Sequence, residues 1–226
     1  MASQRHRGRP GDDETLKGKT SLLIVARDLF ARHGYHGVSI RRLADAAGVN
    51  SSLIQYHFGG KRGLYEAMFE EAVQPLFEQM TRIASATPPG ANVEDRIRDF
   101  FTAFMGHMAR TPWLPPLLVR DVLAEEGIMR ETFLHRFAEP GGRGLLGGLV
   151  RSEAKAGRLR RDLDPNLTAL SMISLALFPF VALPIAGPVL GVRTNPEFID
   201  RLVDHTAKLF YRGAASSASP GRRPGP

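Results

Sequence analysis

The sequence predicts an all-α fold, and three observations support this prediction. Away from the two chain ends, apolar residues recur at helical spacing and no strand-like alternation stands out. Asp164-Pro165 and Asn195-Pro196 each show the pattern of an N-cap followed by proline at the first helical position. Gly34 directly follows an apolar helical period, where glycine commonly ends a helix.

The composition is that of a globular protein with a core of its own. Apolar residues make up 43% of the 226 residues, which is enough to supply a hydrophobic core. The absence of cysteine excludes disulfides, thiolate metal sites and a cysteine nucleophile. The first residues, MASQRHRGRPGDDET, lack the apolar stretch of a secretory signal. We therefore expect a cytoplasmic protein.

Positive charge is concentrated in the first quarter of the chain. Residues 1–62 hold eleven Lys or Arg and five Asp or Glu, whereas residues 63–226 hold nineteen and eighteen. Such asymmetry favours a polyanionic partner for the first quarter alone. The alternative is a solvated basic tail, which Arg5, Arg7 and Arg9 would also produce.

Ten helices are predicted along the chain. The first carries Leu22, Ala26 and Phe30 on one apolar face, and Pro75 is expected to kink the fourth. The predicted ranges are 15–33, 39–47, 50–57, 60–83, 93–110, 113–125, 128–138, 143–157, 165–183 and 196–212.

The stretch IRRLADAAGVNSSLIQYHFGGK, residues 40–61, fits two short helices that cross at a tight corner, as in a helix-turn-helix. Ala44 is small enough for the helices to touch, and Gly48 tolerates the positive φ that the turn requires. Val49 is expected to anchor the corner, and Asn50 to cap the second helix. The residues expected to face inward are Leu43, Ala47 and Ile54.

The outward side of the second helix carries polar residues where a buried face would carry Leu or Val. Ser51, Ser52 and Gln55 can hydrogen-bond base edges in a major groove, and glutamine is suited to adenine. Arg41 is placed to reach a guanine or a phosphate. The residues expected at the DNA backbone are Tyr56, His57 and Lys61. Each residue alone is equally an ordinary surface or capping residue, but at this spacing they predict DNA binding together.

The run SLLIVARDLFARHGYHGVSIRRLADAAGVNSSLIQYHFGGKRGLYEAM resembles the N-terminal DNA-binding domain of the tetracycline-repressor (TetR) family. The resemblance includes A-x-x-L-F-x-x-x-G-Y, A-x-x-A-G-V and Y-H-F-x-x-K. It implies a homodimeric one-component repressor with a divergent helical C-terminal domain that binds a small effector. The residues that it implies at the DNA are Ser39, Arg41, Ser51, Ser52, Leu53, Gln55, Tyr56, His57 and Lys61. Asn50, which opens the second helix, completes the predicted DNA-binding set.

One departure from the family concerns base preference. Many members carry tyrosine where this chain has Gln55, so their base preference does not transfer to this chain. The form NSSLIQYHFGGK and the later GRLRRDLDPNLTALSMISL are similar to the branch typified by the CecR regulator. We therefore predict a CecR-like member.

A dimer is expected because one short recognition helix reads too few base pairs for a specific site. Two such helices, one DNA turn or roughly 34–36 Å apart, would read a palindromic operator. The last two predicted helices are the candidate interface, since the first of them is apolar nearly all round. The predicted interface residues are Leu175, Phe178, Phe198, Leu202, Leu209 and Phe210.

An effector pocket is predicted around the Phe- and Met-rich segment 97–108. An apolar pocket with a few polar anchors would suit a hydrophobic or amphipathic small molecule, although a plain core shows the same spacing. Effector binding is expected to favour a conformer in which the kinked linking helix holds the two reading helices at the wrong separation. The predicted lining residues are Phe100, Phe104, Met108, Trp113, Leu117, Arg120, Phe133, Phe137 and Met172. Further candidate anchors are His107, Asp121 and His135.

These inferences divide the chain into four parts. We expect a disordered basic arm at 1–14, a helix-turn-helix DNA-binding domain at 15–62, and a disordered tail at 213–226. Residues 63–212 are expected to form the helical regulatory and dimerisation domain, which is reached through the linking helix 60–83.

Two other classes of protein fit parts of the sequence. The first is an enzyme, but the chain shows no phosphate loop, nucleophile elbow or zinc-binding His pair. We therefore expect no catalytic residue, metal or cofactor. The uncharged stretch after Asp164 is long enough to span a bilayer, but Pro179, Pro184 and Pro188 interrupt it. A subunit contact is the preferred interpretation, and no membrane partner is expected.

Overall fold

A computed structural model of the chain describes residues 12–85, 92–138, 145–192 and 195–215. Within these ranges the chain is helical, and its extended pairing is limited to an isolated bridge between Leu159 and Ala215. The predicted all-α fold class is therefore confirmed. Residues 1–11 and 216–226, which fall in the predicted arm and tail, lie outside the described ranges.

The helices follow one another in the order predicted. They are α1 (Asp12–His33), α2 (Ile40–Ala47), α3 (Ser52–Phe58), α4 (Lys61–Ser85), α5 (Val93–Arg110), α6 (Leu114–Leu117), α7 (Arg130–Ala138), α8 (Leu145–Lys155), α9 (Pro165–Leu190) and α10 (Pro196–Ala214). A π-helical turn, Leu118–Leu123, continues directly from α6. α1 begins three residues before its predicted start.

The chain forms two compact units, and the first ends at Val73 while the second begins at Gln74. The domain boundary predicted after residue 62 differs from this one. Leu64 and Tyr65 of α4 are fully buried, and the Tyr65 ring meets the Phe30 ring of α1 edge-on with centroids 4.8 Å apart. The first turns of the linking helix therefore belong to the core of the first unit.

In the second unit, α5 is the central helix. It packs against α9 and α10, while α6 and α8 also pack against α9. Phe100, Phe101 and Met105 of α5 are fully buried, and the rings of Phe101 and Phe210 of α10 lie with centroids 6.0 Å apart. Since buried aromatic side chains contribute strongly to core stability, α5 and α10 form one core.

The predicted caps of the last two helices are confirmed. The Asp164 carboxylate accepts the amides of Asn166 and Leu167 at 2.8 and 2.9 Å. The Asn195 side chain accepts the amide of Phe198 at 2.7 Å. Both helices therefore start where a side-chain oxygen satisfies amides that have no partner inside the helix.

α9 is longer than predicted. It was expected to end at residue 183 but continues to Leu190 through Pro184 and Pro188. Each proline removes only its own backbone donor, and the helix ends at Gly191, whose φ is 66°. Among the described residues, α9 is the one helix long and apolar enough to cross a membrane, judged by length and composition.

A buried ion cluster holds the C-terminal end of α4 to α5 and α8. The Arg96 guanidinium donates to Glu153 and, through Nη2, to the carbonyls of Ile83 and Ala84 at 2.9 and 3.3 Å. Nε of Arg158 donates to the other oxygen of Glu153 at 2.5 Å. Arg96 and Glu153 are both buried, so removing the Glu153 carboxylate would leave the buried charge of Arg96 uncompensated, which costs about 3–5 kcal/mol.

Candidate nucleic-acid interface

The corner between α2 and α3 has the geometry that the sequence predicts. The side chain of Ser39 caps α2 by accepting the amide of Arg42 at 3.1 Å. α2 ends at Gly48, whose φ of 67° lies in the left-handed region. The Val49 amide then donates to the carbonyl of Ala44 at 3.0 Å. The predicted turn residue is therefore confirmed.

The start of α3 and the inward face of the helix pair also agree with the prediction. The Asn50 side chain accepts the amide of Ser52 at 2.9 Å, and α3 begins at Ser52. Leu43 and Ile54 are fully buried. Ser21 of α1 donates its hydroxyl to the carbonyl at the end of α2 at 3.1 Å. Packing and hydrogen bonding therefore fix the pair against α1.

The opposite face of α3 is open to solvent. Ser51, Ser52 and Gln55 are exposed, and Tyr56 is 73% exposed although it is a large aromatic residue. Leu53, which the resemblance also implies at the DNA, is half-buried against Gly18 of α1. The structure thus brings four of the predicted contact residues together on one accessible surface.

Arg41 on α2 is a largely exposed cation. Its side chain is 92% exposed and its Nε lies 3.8 Å from an oxygen of Asp45. An exposed pair of this kind is worth roughly 0.2–1 kcal/mol. Arg41 can therefore exchange Asp45 for a phosphate or a base edge at little cost.

The neighbouring Arg42 is held differently. Its Nη2 lies 2.8 Å from Nε2 of His33, at the end of α1. Because the guanidinium can only donate, this ring nitrogen accepts the hydrogen bond. This contact was not predicted, since residues nine apart on two different helices leave no local pattern in the sequence.

Lys61, the first residue of α4, lies against an aromatic ring. Its Nζ is 4.2 Å from the centroid of the Tyr35 ring, a distance at which the ring attracts the cation. Burial lowers the pKa of Lys61 below its ordinary value. The aromatic contact positions the ammonium group at the N-terminal end of α4, where a phosphate contact was predicted.

His57 differs from the simple backbone contact that was predicted. Its Nε2 is buried, and no hydrogen-bond partner for it occurs among the described residues. The ring lies between Tyr56 and Phe58, with centroid separations of 4.9 and 6.0 Å. A DNA contact from this nitrogen therefore requires the ring to turn.

The predicted effector residues fall into two groups in the second unit. Phe100, Met108, Leu117 and Met172 are buried core residues, as the plain-core alternative predicts. Phe104, Trp113 and Phe133 are half-buried, and Arg120 is exposed. The side chain of Phe137 lies outside the described part of the structure.

The three candidate polar anchors also differ from one another in burial. His107 is buried and His135 is exposed. Asp121, in the π-helical turn, is buried and accepts hydrogen bonds from Nε and Nη2 of Arg120 at 3.0 and 2.9 Å. π-helical turns occur frequently at functional sites, so this pair remains a candidate polar anchor.

The predicted interface residues divide in a similar way. Phe178 of α9 is 65% exposed and Leu209 of α10 is 57% exposed. Leu175, Phe198 and Leu202 are half-buried. Phe210 is a correction: it is only 9% exposed and packs against Phe101 of its own chain. It therefore belongs to the core of the protomer, where it stabilises α10 on α5.

Comparison with known proteins shows which family the DNA-binding part is similar to. Residues 22–68 match the family described as "Bacterial regulatory proteins, tetR family". The transcriptional repressor KstR2 of Rhodococcus jostii is 29% identical over 162 residues, which are 70% of this chain and 76% of KstR2. The repressor AcnR of Corynebacterium glutamicum is 39% identical over 66 residues, which are 29% of this chain and 35% of AcnR.

Solved structures show the same fold over nearly the full chain. The transcriptional regulator FadR of Bacillus subtilis, solved in complex with stearoyl-CoA, has a TM-score of 0.68 at 15% sequence identity. The similarity covers 86% of this chain and 98% of FadR. The fold of the helical C-terminal part, as well as that of the helix-turn-helix, is therefore shared with FadR.

Proposed function

We propose that this chain, a transcriptional regulator of the TetR family, binds a palindromic operator as a homodimer, represses the adjacent genes and is released by a small hydrophobic or amphipathic effector. The observation that carries the proposal is the exposed polar face of α3. Ser51, Ser52 and Gln55 stand in solvent while Leu43 and Ile54 hold the helix pair from behind. A major groove accepts such a helix.

The proposed division of labour at the DNA follows from exposure and charge. Gln55 and the two serines are assigned to base edges, and Arg41 to a guanine or a phosphate. Tyr56 and Lys61 are assigned to the DNA backbone. Ser39 and Asn50 contribute by capping α2 and α3.

A stripe of exposed apolar side chains along α9 supports the homodimer. Leu167, Phe178 and Ile185 are exposed, and their separations of 11 and 18 residues place them on one face of the helix. The buried Met172 and Ala176 lie on the opposite face. Regulators of this family bind DNA as dimers, and a second copy of α9 would remove this stripe from water.

The proposed effector is a hydrophobic or amphipathic small molecule. The half-buried aromatic residues Phe104, Trp113 and Phe133 supply apolar surface, and the pair of Arg120 and Asp121 supplies charge. The stearoyl-CoA of the related FadR structure combines an acyl chain with a polar head, which is the same chemical class. Effector binding is proposed to shift the population of α4 geometries, for which a coupling of about 1–3 kcal/mol is enough.

We also propose membership of the CecR-like branch, on the forms NSSLIQYHFGGK and GRLRRDLDPNLTALSMISL. Competition between the chain's own operator and a CecR operator duplex tests this placement. Strong competition supports it, and competition no better than that of random duplex contradicts it.

Footprinting on the DNA around the chain's own gene tests the proposed function. We expect protection of two half-sites separated by about one helical turn, with an affinity that falls steeply as salt rises. Protection without a preferred sequence would contradict an operator-specific regulator. Because operator and target genes emerge from the same measurement, it also supplies the DNA for the experiments below.

A membrane-associated protein is the second candidate, and the length and apolar character of α9 favour it. The two candidates differ in partition after cell lysis. A cytoplasmic regulator stays in the supernatant on ultracentrifugation, whereas a protein anchored through α9 sediments with vesicles.

A further inference from the structure

We infer that Arg136 of α7 is a positioning residue for DNA binding, because it clasps α4 across its internal proline. This inference rests on the proposed function and names a residue through which that function is regulated. The clasp consists of Arg136, Gln74 and Phe77, all within the second unit.

Arg136 contacts two side chains of α4. Its guanidinium donates a hydrogen bond to Oε1 of Gln74, and its Cζ lies 4.9 Å from the centroid of the Phe77 ring. The Gln74 amide in turn donates to Oε1 of Glu78 at 2.7 Å. The amide of Gln74 is thus oriented from both ends, and its oxygen faces α7.

The two contacted side chains lie on either side of Pro75. Proline has no amide hydrogen, so α4 lacks one backbone hydrogen bond at this point. Helices bend most readily where this ladder is interrupted. The break also falls next to the boundary at which the second unit begins. Arg136 therefore stabilises α4 at the position where its direction is least fixed by its own backbone.

The clasp is weaker than the other attachment of α4 in this unit. At the C-terminal end of α4, Arg96 is buried with Glu153 and also binds two backbone carbonyls. Arg136 is only half-buried, and one of the side chains to which it donates on α4 is the neutral amide of Gln74. Water screens and can replace the contacts of a half-buried guanidinium, whereas it has little access to the buried Arg96. The end of α4 is thus a fixed point, whereas the clasp at Pro75 is releasable.

α7 connects the clasp to the candidate effector region. Phe133 lies one helical turn before Arg136 on α7, and its ring meets the Phe77 ring with centroids 6.4 Å apart. Phe77 therefore contacts both residues of α7. An effector that displaces Phe133 changes the surface on which Arg136 and Phe77 pack, and so loosens the clasp.

Release of the clasp widens the range of α4 geometries. A dimer reads an operator only when both α3 helices match the half-site spacing. A wider range lowers the fraction of molecules with that spacing, and apparent affinity falls with the competent fraction. Binding to random duplex does not depend on this spacing, because it rests on phosphate contacts.

The test compares Arg136→Met and Gln74→Leu, which break the clasp from opposite sides, with Arg151→Met on the exposed face of α8. Hydrogen exchange of the full-length chain without DNA measures how fast the backbone amides of α4 near Pro75 exchange with solvent. Titration with the footprinted operator and with a random duplex reports binding. A thermal melt of each variant checks that the fold is retained.

We expect faster exchange near Pro75 and about fivefold or greater loss of operator affinity for both clasp variants, with random-duplex binding unchanged. The double variant should lose no more than Arg136→Met alone, because that single change already removes the hydrogen bond with Gln74. Arg151→Met should match the wild type in every measurement.

Three results would overturn the inference. Faster exchange with unchanged operator affinity reduces the clasp to a packing contact. A gain in operator affinity would show that the clasp stabilises a conformer that does not bind the operator. An equal loss on operator and random duplex indicates general damage to the reading unit. A wild-type chain that binds no duplex at all refutes the proposed function itself, and this is seen before any variant is compared.

Discussion

Gly48 shows how a single backbone angle sets the way in which α2 and α3 meet. Its φ of 67° allows α2 and α3 to meet in a turn of a few residues, and this angle is strained for residues with a Cβ atom. A Cβ atom built at Gly48 would meet nothing within 4 Å. The need for glycine here is therefore conformational and does not come from crowding.

Gly48→Ala is expected to destabilise the first unit by about 1 kcal/mol through this backbone strain. Gly148 is the matched control, since a Cβ there would also meet nothing within 4 Å but the residue lies inside helix α8. Gly148→Ala should stabilise the chain by about 0.5–1 kcal/mol. Urea unfolding measures both changes, and shifts of the same sign would contradict the argument from φ.

The side chains assigned to bases and to phosphates should behave differently when truncated. Gln55→Ala and Arg41→Ala should each cost about 1–3 kcal/mol of operator affinity and much less on random duplex. Lys61→Ala should weaken both and reduce the salt slope by about one. Fluorescence anisotropy at several salt concentrations separates these effects.

Arg32→Ala serves as the control for these three variants, because Arg32 is exposed on α1 and paired with Asp28. It should change neither binding curve appreciably. Equal losses on the two duplexes for Gln55→Ala and Arg41→Ala would contradict the assignment of roles.

At the scale of helices, the buried cluster that holds the end of α4 makes a clear prediction. Glu153→Gln should destabilise the second unit by about 3–5 kcal/mol, since Arg96 would keep its buried charge without a carboxylate. The control is Asp162→Asn, which breaks an exposed pair with Arg160 and should have a far smaller effect. Comparable losses for the two variants, measured by thermal unfolding, would show that burial does not decide the cost.

Local sequence signals were enough to predict most of the helices. Periodic apolar residues, Gly48 and the caps at Asp164 and Asn195 act over one or two turns, and the structure places them as expected. The end of α9 was not predictable in this way. Pro184 and Pro188 normally discourage a helix, and their effect depends on packing that lies far away in the sequence.

The polar contacts between helices were also not predictable from local sequence signals. Arg96 and Glu153 are 57 residues apart, and Arg136 and Gln74 are 62 apart. No periodicity relates such residues, so the sequence did not reveal the buried cluster or the clasp. The exposed face of α3 was predictable because its residues are close together in one helix.

At the scale of the whole molecule, self-association is the property that the proposed function needs. Phe178 and Leu209 are exposed in the protomer, so Phe178→Glu with Leu209→Glu should leave the fold intact and place charge where a second copy would pack. We expect a monomer by sedimentation velocity, with loss of operator binding. Deleting α10 is a poorer test, because Val203 and Ala207 belong to the core of the second unit.

Leu123→Glu is the control for this prediction, since Leu123 is an equally exposed apolar residue outside α9 and α10. It should leave the sedimentation coefficient unchanged. A double variant that sediments as the wild type would contradict the proposed interface.

α3 is bounded at both ends by glycines in the left-handed region, Gly48 and Gly59. Its attachment to the unit depends on inward residues such as Ile54, whereas Ser52 and Gln55 contribute little to packing. Mutations at those outer positions therefore carry almost no penalty in folding. Substitutions at a few exposed positions of α3 can therefore change the promoter that is recognised during evolution, while the fold is retained.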